Sequence, residues 1–234
     1  VDAKRGKMFT RHIREITYAA KVGGGDPDMN PALRHAIDGA KAINMPADNI
    51  KKAVQRGTGE LEGVNYENIT YEGYGPGGVA VLVETLTDNK NRTVAEVRHV
   101  FSKFNGNLGE NGCVAWMFTR KGIILVPQSA IEEEELMELV LENGAEDLKA
   151  EDDNFEVSTT VEDYDAVLTA VKEKNIEVLN AELARVPSTY VKLEGKHAEQ
   201  MLKLSDKLEE LDDVTNVWSN FDISEEEIEA YHNG

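Results

Sequence analysis

Lys4, Arg5, Lys7, Arg11 and Arg14 fall within eleven residues of the chain, at spacings that let one short element carry all five cations. Such an arrangement suits contact with a phosphate backbone, because each phosphate neutralised releases a counterion. The same residues would serve as a solubilising helix face, and charge by itself leaves both readings open. A second cationic cluster, Lys90, Arg92, Arg98 and Lys103, begins in Asp88-Asn89-Lys90-Asn91-Arg92-Thr93, a stretch dense in hydrogen-bonding side chains. Its alternative reading is self-capping by Asn and Asp ahead of a helix. With Lys21, Arg34, Lys51, Lys52 and Arg56, these residues, Lys103 excepted, make up the candidate nucleic-acid-binding set.

Other chemistries find little support. Gly73-Tyr74-Gly75-Pro76-Gly77-Gly78 has the spacing G-x-G-x-x-G, but a dinucleotide loop must open a helix, and Gly78 leads instead into the β-branched run Val79-Ala80-Val81-Leu82-Val83. Proline with glycine after it suits a type II turn, so the stretch predicts a hairpin and no cofactor. The histidines, His12, His35, His99, His197 and His232, show no zinc-site spacing. Glu151-Asp152-Asp153 lacks the ordered ligands and glycine of a calcium loop and reads as a solvated turn. No Gly-x-x-x-x-Gly-Lys-Ser/Thr or Gly-x-Ser-x-Gly occurs. The sequence therefore predicts no catalytic residues, metal or cofactor. The lone Cys113, in the apolar run Cys113 to Phe118, fits a buried thiol in a reducing compartment.

The net charge of −19 argues against a nucleic-acid partner until its distribution is considered. Residues 1–56 hold 11 Lys/Arg against 6 Asp/Glu, and residues 88–121 hold 6 against 3, whereas residues 122–234 hold 8 against 30. Screening over about 8 Å at physiological salt lets an anionic partner meet the basic segments while the acidic half stays apart. No stretch approaches the roughly 18 apolar residues of a membrane span, and the N-terminus has no apolar signal core. A cytoplasmic protein is expected, with no membrane partner.

Three amphipathic helices are predicted to position the first cations. Phe9, Ile13, Ile16 and Ala20 recur at helical spacing. Asn30 caps a second helix that opens with Pro31, and a third runs from near Pro46 to a stop at Gly57. From Tyr66 the period becomes strand-like. A strand pair flanks Gly75–Gly78, a helix comes next with Thr93 and Glu96 at capping-box spacing, and a hairpin is predicted across Thr119-Arg120-Lys121-Gly122. Beyond Ser129, read as a cap, come an acidic helix over 131–143, strands at 146–150 and 154–159, a helix over 162–174 and a strand near 176–185. The last elements, a strand from Thr189, a helix over 196–211 and a strand over 214–221, resemble the missing part of the first sheet. The expected architecture is α+β in three domains: a basic helical domain (1–60), a discontinuous α+β domain (65–128 and 187–234) and an acidic α+β domain inserted into it (129–186).

Several of these stretches resemble the YebC family, whose members include bacterial probable transcriptional regulators and the mitochondrial translational activator of cytochrome oxidase subunit I. The matching segments include Asp2 to Lys7, Gly23 to Pro27, Asn30-Pro31, Tyr71 to Gly78, Asp88 to Arg98, Gly106 to Gly109 and Pro187-Ser188, in family order over nearly the whole chain. The resemblance implies a helical domain and two α+β domains of ferredoxin-like type, with no established enzymatic activity. It also implies control of gene expression, through DNA-binding transcriptional regulation or through ribosome-associated help to translation. Lys4, Arg5 and Lys7 would then belong to a nucleic-acid-facing surface, with duplex DNA or ribosomal RNA as the partner. The acidic domains would meet ribosomal or transcription proteins, or act as an interaction scaffold outright. The family carries a further basic segment containing Ser-Lys-Trp ahead of this point. Because the chain starts inside the motif without an initiator Met, the expectation is that this segment is trimmed or missing.

Overall fold

The computed structural model describes residues 2–233, and side chains from Gly6 onward. Helices α1 (Asp2–Gly23), α2 (Pro31–Ala42) and α3 (Ala47–Thr58) close around Ile16, Ala20, Leu33, Ala40, Ile50 and Ala53. Asn30 joins two of them. Its side-chain oxygen accepts the Leu33 N–H at 3.1 Å to cap α2, while its amide donates to the carbonyls of Ala19 (2.9 Å) and Gly24 (2.8 Å) at the end of α1. The stop expected at Gly57 lies two residues later, where Gly59 takes the left-handed conformation (φ 83°) that ends α3. Gly57 has a different task. A Cβ there would stand 2.3 Å from the Thr17 carbonyl oxygen and 2.7 Å from the Ala20 Cβ, so its absence lets α3 approach α1.

Strands β1 (Glu67–Tyr74) and β2 (Ala80–Thr87) pair antiparallel from Glu67↔Thr87 to Tyr74↔Ala80. The hairpin predicted at Gly75–Gly78 is present, with Gly77 at φ 72° and the Gly75 N–H bonded to the Val79 carbonyl at 2.7 Å. Helix α4 (Lys90–Lys103) starts earlier than its capping-box spacing indicated. Asn89 is the cap, accepting the Arg92 N–H at 3.1 Å, and Thr93 is buried inside the first turn. Strand β3 (Asn107–Leu108) then adds to β1.

The apolar run from Cys113 forms no strand. Buried Glu72 accepts the N–H groups of Gly112 (2.5 Å), Val114 (3.0 Å) and Ala115 (2.6 Å), folding this segment onto the sheet face that Leu82, its register partner, shares. Burial pushes the Glu72 carboxyl up, and the three amides outweigh that, holding it below its ordinary range. The hairpin expected across 119–122 is likewise absent, because β4 (Phe118–Pro127) runs straight through Gly122. A Cβ at Gly122 would lie 2.2 Å from the Thr159 Oγ1 and 2.4 Å from the Tyr164 Cδ2. The glycine makes room for packing and does not turn the chain.

Helix α5 (Glu133–Glu142), strands β5 (Ala145–Glu151) and β6 (Asn154–Thr159), helix α6 (Tyr164–Glu173) and strand β7 (Asn180–Pro187) complete a β-α-β-β-α-β unit with strand order β5-β6-β4-β7. Its core is Ile124, Val126, Leu136, Val140, Val157 and Val167. Ser129 sits in a short 3-10 turn ahead of α5, and Glu132 is the residue at the helix cap. The chain continues through β8 (Val191–Lys192), α7 (Gly195–Glu209), β9 (Val214–Ser219), β10 (Phe221–Asp222) and a terminal helix, α8 (Glu225–Asn233), that the sequence pattern did not reveal. Strand β9 pairs with β2, giving the order β3-β1-β2-β9, and Val79, Val81 and Val83 pack with Phe101 of α4 and Met201, Leu204 and Leu208 of α7. The protein is thus α+β, with the three helices and this sheet in one compact unit (1–115 and 190–234) and residues 116–189 in a second. Strand β4, placed by the sequence pattern with the first sheet, lies in the second.

Two substitutions test this packing. Gly57→Ala gains about 1 kcal/mol of helix propensity but forces a contact against immobile backbone that costs roughly 1–3 kcal/mol. A lower Tm is expected, and a raised one would contradict the close approach of α1 and α3. Glu72→Gln leaves one acceptor oxygen for three amides. Hydrogen exchange at Gly112, Val114 and Ala115 should quicken by about tenfold or more, while exchange in β6 stays as it was.

Candidate nucleic-acid interface

Asp213 lies in the short connection between α7 and β9, where its carbonyl accepts the Leu86 N–H at 2.8 Å and so anchors it beside β2. Its side chain is 1% exposed. Arg14 of α1 donates to Oδ1 at 2.6 Å. Arg92 of α4 donates from Nη2 to both oxygens (3.0 and 2.8 Å) and from Nε to Oδ2 (3.2 Å). The Thr93 hydroxyl donates to Oδ2 at 2.8 Å and lies 2.7 Å from the Thr87 hydroxyl. Burial pushes the carboxyl up, but hydrogen bonds from Arg92, Thr93 and Arg14 override it and hold Asp213 below the ordinary carboxylate range. Arg92 is raised in turn by Asp213 and by Asp88, which it meets at 2.8 Å. The Arg14 guanidinium also donates to the Asp212 carbonyl at 3.2 Å and sits 5.6 Å from the centre of the Tyr66 ring.

The thirteen candidate cations divide by what they touch. Lys7 donates to the Glu210 carbonyl and stands 3.7 Å from the Asp212 carboxylate, so Lys7 and Arg14, from one stripe of α1, and Arg92 all converge on residues 210–213. Arg11 pairs with Glu15 at 3.4 Å, Lys52 with Asp48 at 2.7 Å and Lys90 with Glu67 at 3.3 Å. Arg34 donates to the Pro27 carbonyl at 3.0 Å, and Lys21 donates to the side-chain oxygen of Asn65. Lys51, Arg56 and Arg98 are exposed, with no ion-pair partner among the described residues. The side chains of Lys4 and Arg5 lie outside the described residues.

Sequence reasoning missed Asp213, Thr93 and Tyr66. The first was only one carboxylate in an acidic half, and nothing local marks it as the partner of residues 199 and 121 positions away. The cleft beside it is lined by Asp88, Glu96, Glu210 and Asp212 together with Arg14, Arg92 and Asp213. Asn91 and His99, also on α4, are not among its lining. Among the described residues no group of three or more His, Cys, Asp or Glu is placed to hold a metal ion.

Comparison with known proteins places this geometry in a family. The profile described as the TACO1/YebC protein N-terminal domain matches residues 1–60, and that described as the TACO1/YebC second and third domain matches residues 66–221. A probable transcriptional regulatory protein of Desulfosudis oleivorans is 58% identical over 229 residues, covering 98% of this chain and 93% of the relative. One from Geobacter sulfurreducens is 58% identical over 228 residues, covering 97% and 92%. The crystal structure of the conserved hypothetical protein Aq1575 from Aquifex aeolicus superposes with a TM-score of 0.85 at 46% identity, covering 96% of this chain and 93% of that one.

Asp213→Asn keeps the shape and removes the charge that two arginines face. It should destabilise the protein by about 3 kcal/mol at pH 7 in urea titrations. Because the native carboxyl is held below its unfolded value of about 4, its contribution is complete above that pH and is lost as pH falls through the native value. The gap between parent and variant should therefore close on acidification below about pH 4. A gap that is constant down to pH 3 would contradict the assignment.

Proposed function

The chain belongs to the TACO1/YebC family, and we propose on that premise that it is a non-catalytic regulator of gene expression that binds nucleic acid through its helical domain. The observation that carries this reading is the charge left on that domain after internal pairing. Lys51 and Arg56 of α3 are exposed without an ion-pair partner among the described residues, in a chain with 44 Asp/Glu against 25 Lys/Arg. Lys52, on the same helix, meets only exposed Asp48, one turn away. An exposed i,i+4 pair of this kind contributes a few tenths of a kcal/mol and yields readily to a phosphate. The names of the curated relatives support regulation of transcription as the first role, and the cytoplasm is the expected place of action.

Phosphate contact provides affinity without sequence choice, so the reading extends to duplex DNA first and to ribosomal RNA as its alternative. The second unit, residues 116–189, holds 18 carboxylates against six Lys/Arg. The charge of that unit would repel a polyanion and suit a basic protein partner.

The Lys51, Lys52, Arg56 triple alanine variant tests the proposal on duplex DNA and on ribosomes in parallel. Its log K against log salt slope should be shallower by about 2–3 on the true target. An unchanged slope and affinity on both targets would overturn the assigned face.

A further inference from the structure

At the shared end of α1 and α3, where the linker to β1 passes, lies a cavity of about 190 Å³. Tyr18 and Lys21 of α1, Arg56 of α3, and Asn65 and Tyr66 of the linker contribute its wall. A ligand site for a drug-sized molecule is roughly 300 Å³ or more, so this volume suits one small planar or anionic group. Within it stand two cations that no carboxylate neutralises among the described residues. Lys21 meets the neutral side-chain oxygen of Asn65, and Arg56 has no ion-pair partner. Lys7, Arg11 and Arg14, elsewhere on α1, all face carboxylates.

Each helix ends here, and its C-terminal carbonyls carry about half a negative charge. Two full positive charges outweigh that, which leaves the cavity attractive to an anion. Two aromatic rings supply the second half of the site. Tyr18 and Tyr66 are both half-buried, and the Arg14 guanidinium over the Tyr66 ring fixes that ring to the Asp213 pair. Gly63 completes the support. A Cβ there would come within 3.1 Å of the Arg56 Cβ, so the bare backbone lies along the arginine stem.

We propose that this cavity receives the phosphate of one unpaired nucleotide of a single-stranded nucleic acid on Lys21 and Arg56, with the base of that nucleotide against the half-buried Tyr66 ring at its wall. A base has a face to stack only when it is out of a duplex, which is why a cation pair beside an aromatic ring selects unpaired over paired nucleotides. The inference rests on the nucleic-acid reading above and adds a site and a preferred strand state to it.

Fluorescence anisotropy with labelled oligo-U, oligo-dT and a duplex of equal charge tests it on the full chain, the two single strands separating RNA from DNA as the source. Tyr66→Ala should weaken single-strand binding about tenfold with the salt slope unchanged, because stacking releases no counterion. Tyr66→Phe should retain the affinity, and duplex binding should not respond to either change. Arg56→Ala should weaken binding and reduce the salt slope by about one. Since Tyr66→Ala removes a ring that Arg14 covers, its fold is checked by circular dichroism, and Arg56→Ala, at an exposed site, stands as the independent variant. If the parent binds nucleic acid but neither variant changes single-strand affinity, or if inorganic phosphate competes as well as a mononucleotide, the nucleotide site is overturned and the general role survives. If the parent binds no nucleic acid at low salt, the role falls with it.

Discussion

A buried carboxylate with two arginines on it organises one compact unit of this protein. Asp213 has one guanidinium from α1 and one from α4, and its own backbone is hydrogen-bonded to the end of β2. The pair geometry joins the helical domain to the sheet next in the chain, and neither arginine can leave without exposing the other to an incomplete partner. Buried ion pairs of this kind contribute little over a well-packed apolar contact, yet removing one member is costly, so they act as a constraint on arrangement more than as a source of stability. Thr93 shows how far the constraint reaches. Its hydroxyl is held inside the first turn of α4 by Asp213, and Asn89 caps the helix instead.

The same contact changes the meaning of the charge asymmetry. The cationic stripe of α1 does not all face solvent, because Lys7 and Arg14 turn toward residues 210–213. Part of the acidic surplus of the second half is folded back onto the basic first half. Among the described residues, the cations of α1 and α3 that meet no carboxylate include Lys51 and Arg56 of α3 and Lys21 near the end of α1. The basic character of residues 1–56 is therefore divided between an internal clamp and an external face.

Local features were legible in the sequence wherever the physics is local. Asn30 with Pro31 marks the start of α2, because a side-chain oxygen reaching an N–H three residues on needs no distant partner. Proline then glycine marks the hairpin at Gly75–Gly78 for the same reason. Gly57 and Gly122 misled, since a glycine that terminates an element and one that admits a neighbouring backbone or ring look alike in a string of letters. The run from Cys113 is apolar enough for a strand, and Glu72, some forty residues earlier, draws its amides away.

By itself the sequence determined three helices at the start, a strand pair around a glycine turn, an inserted α+β region, the uneven spread of charge and the family, all of which can be read from periodicity, capping, composition and motifs along contiguous residues. Only the tertiary structure decided which cations are free and which are bound, and which glycines turn the chain and which make room. Ion pairing and packing depend on distance in space. Residues 14 and 213 share a hydrogen bond only because the end of β2 and the connection into β9 bring α1 beside the carboxylate.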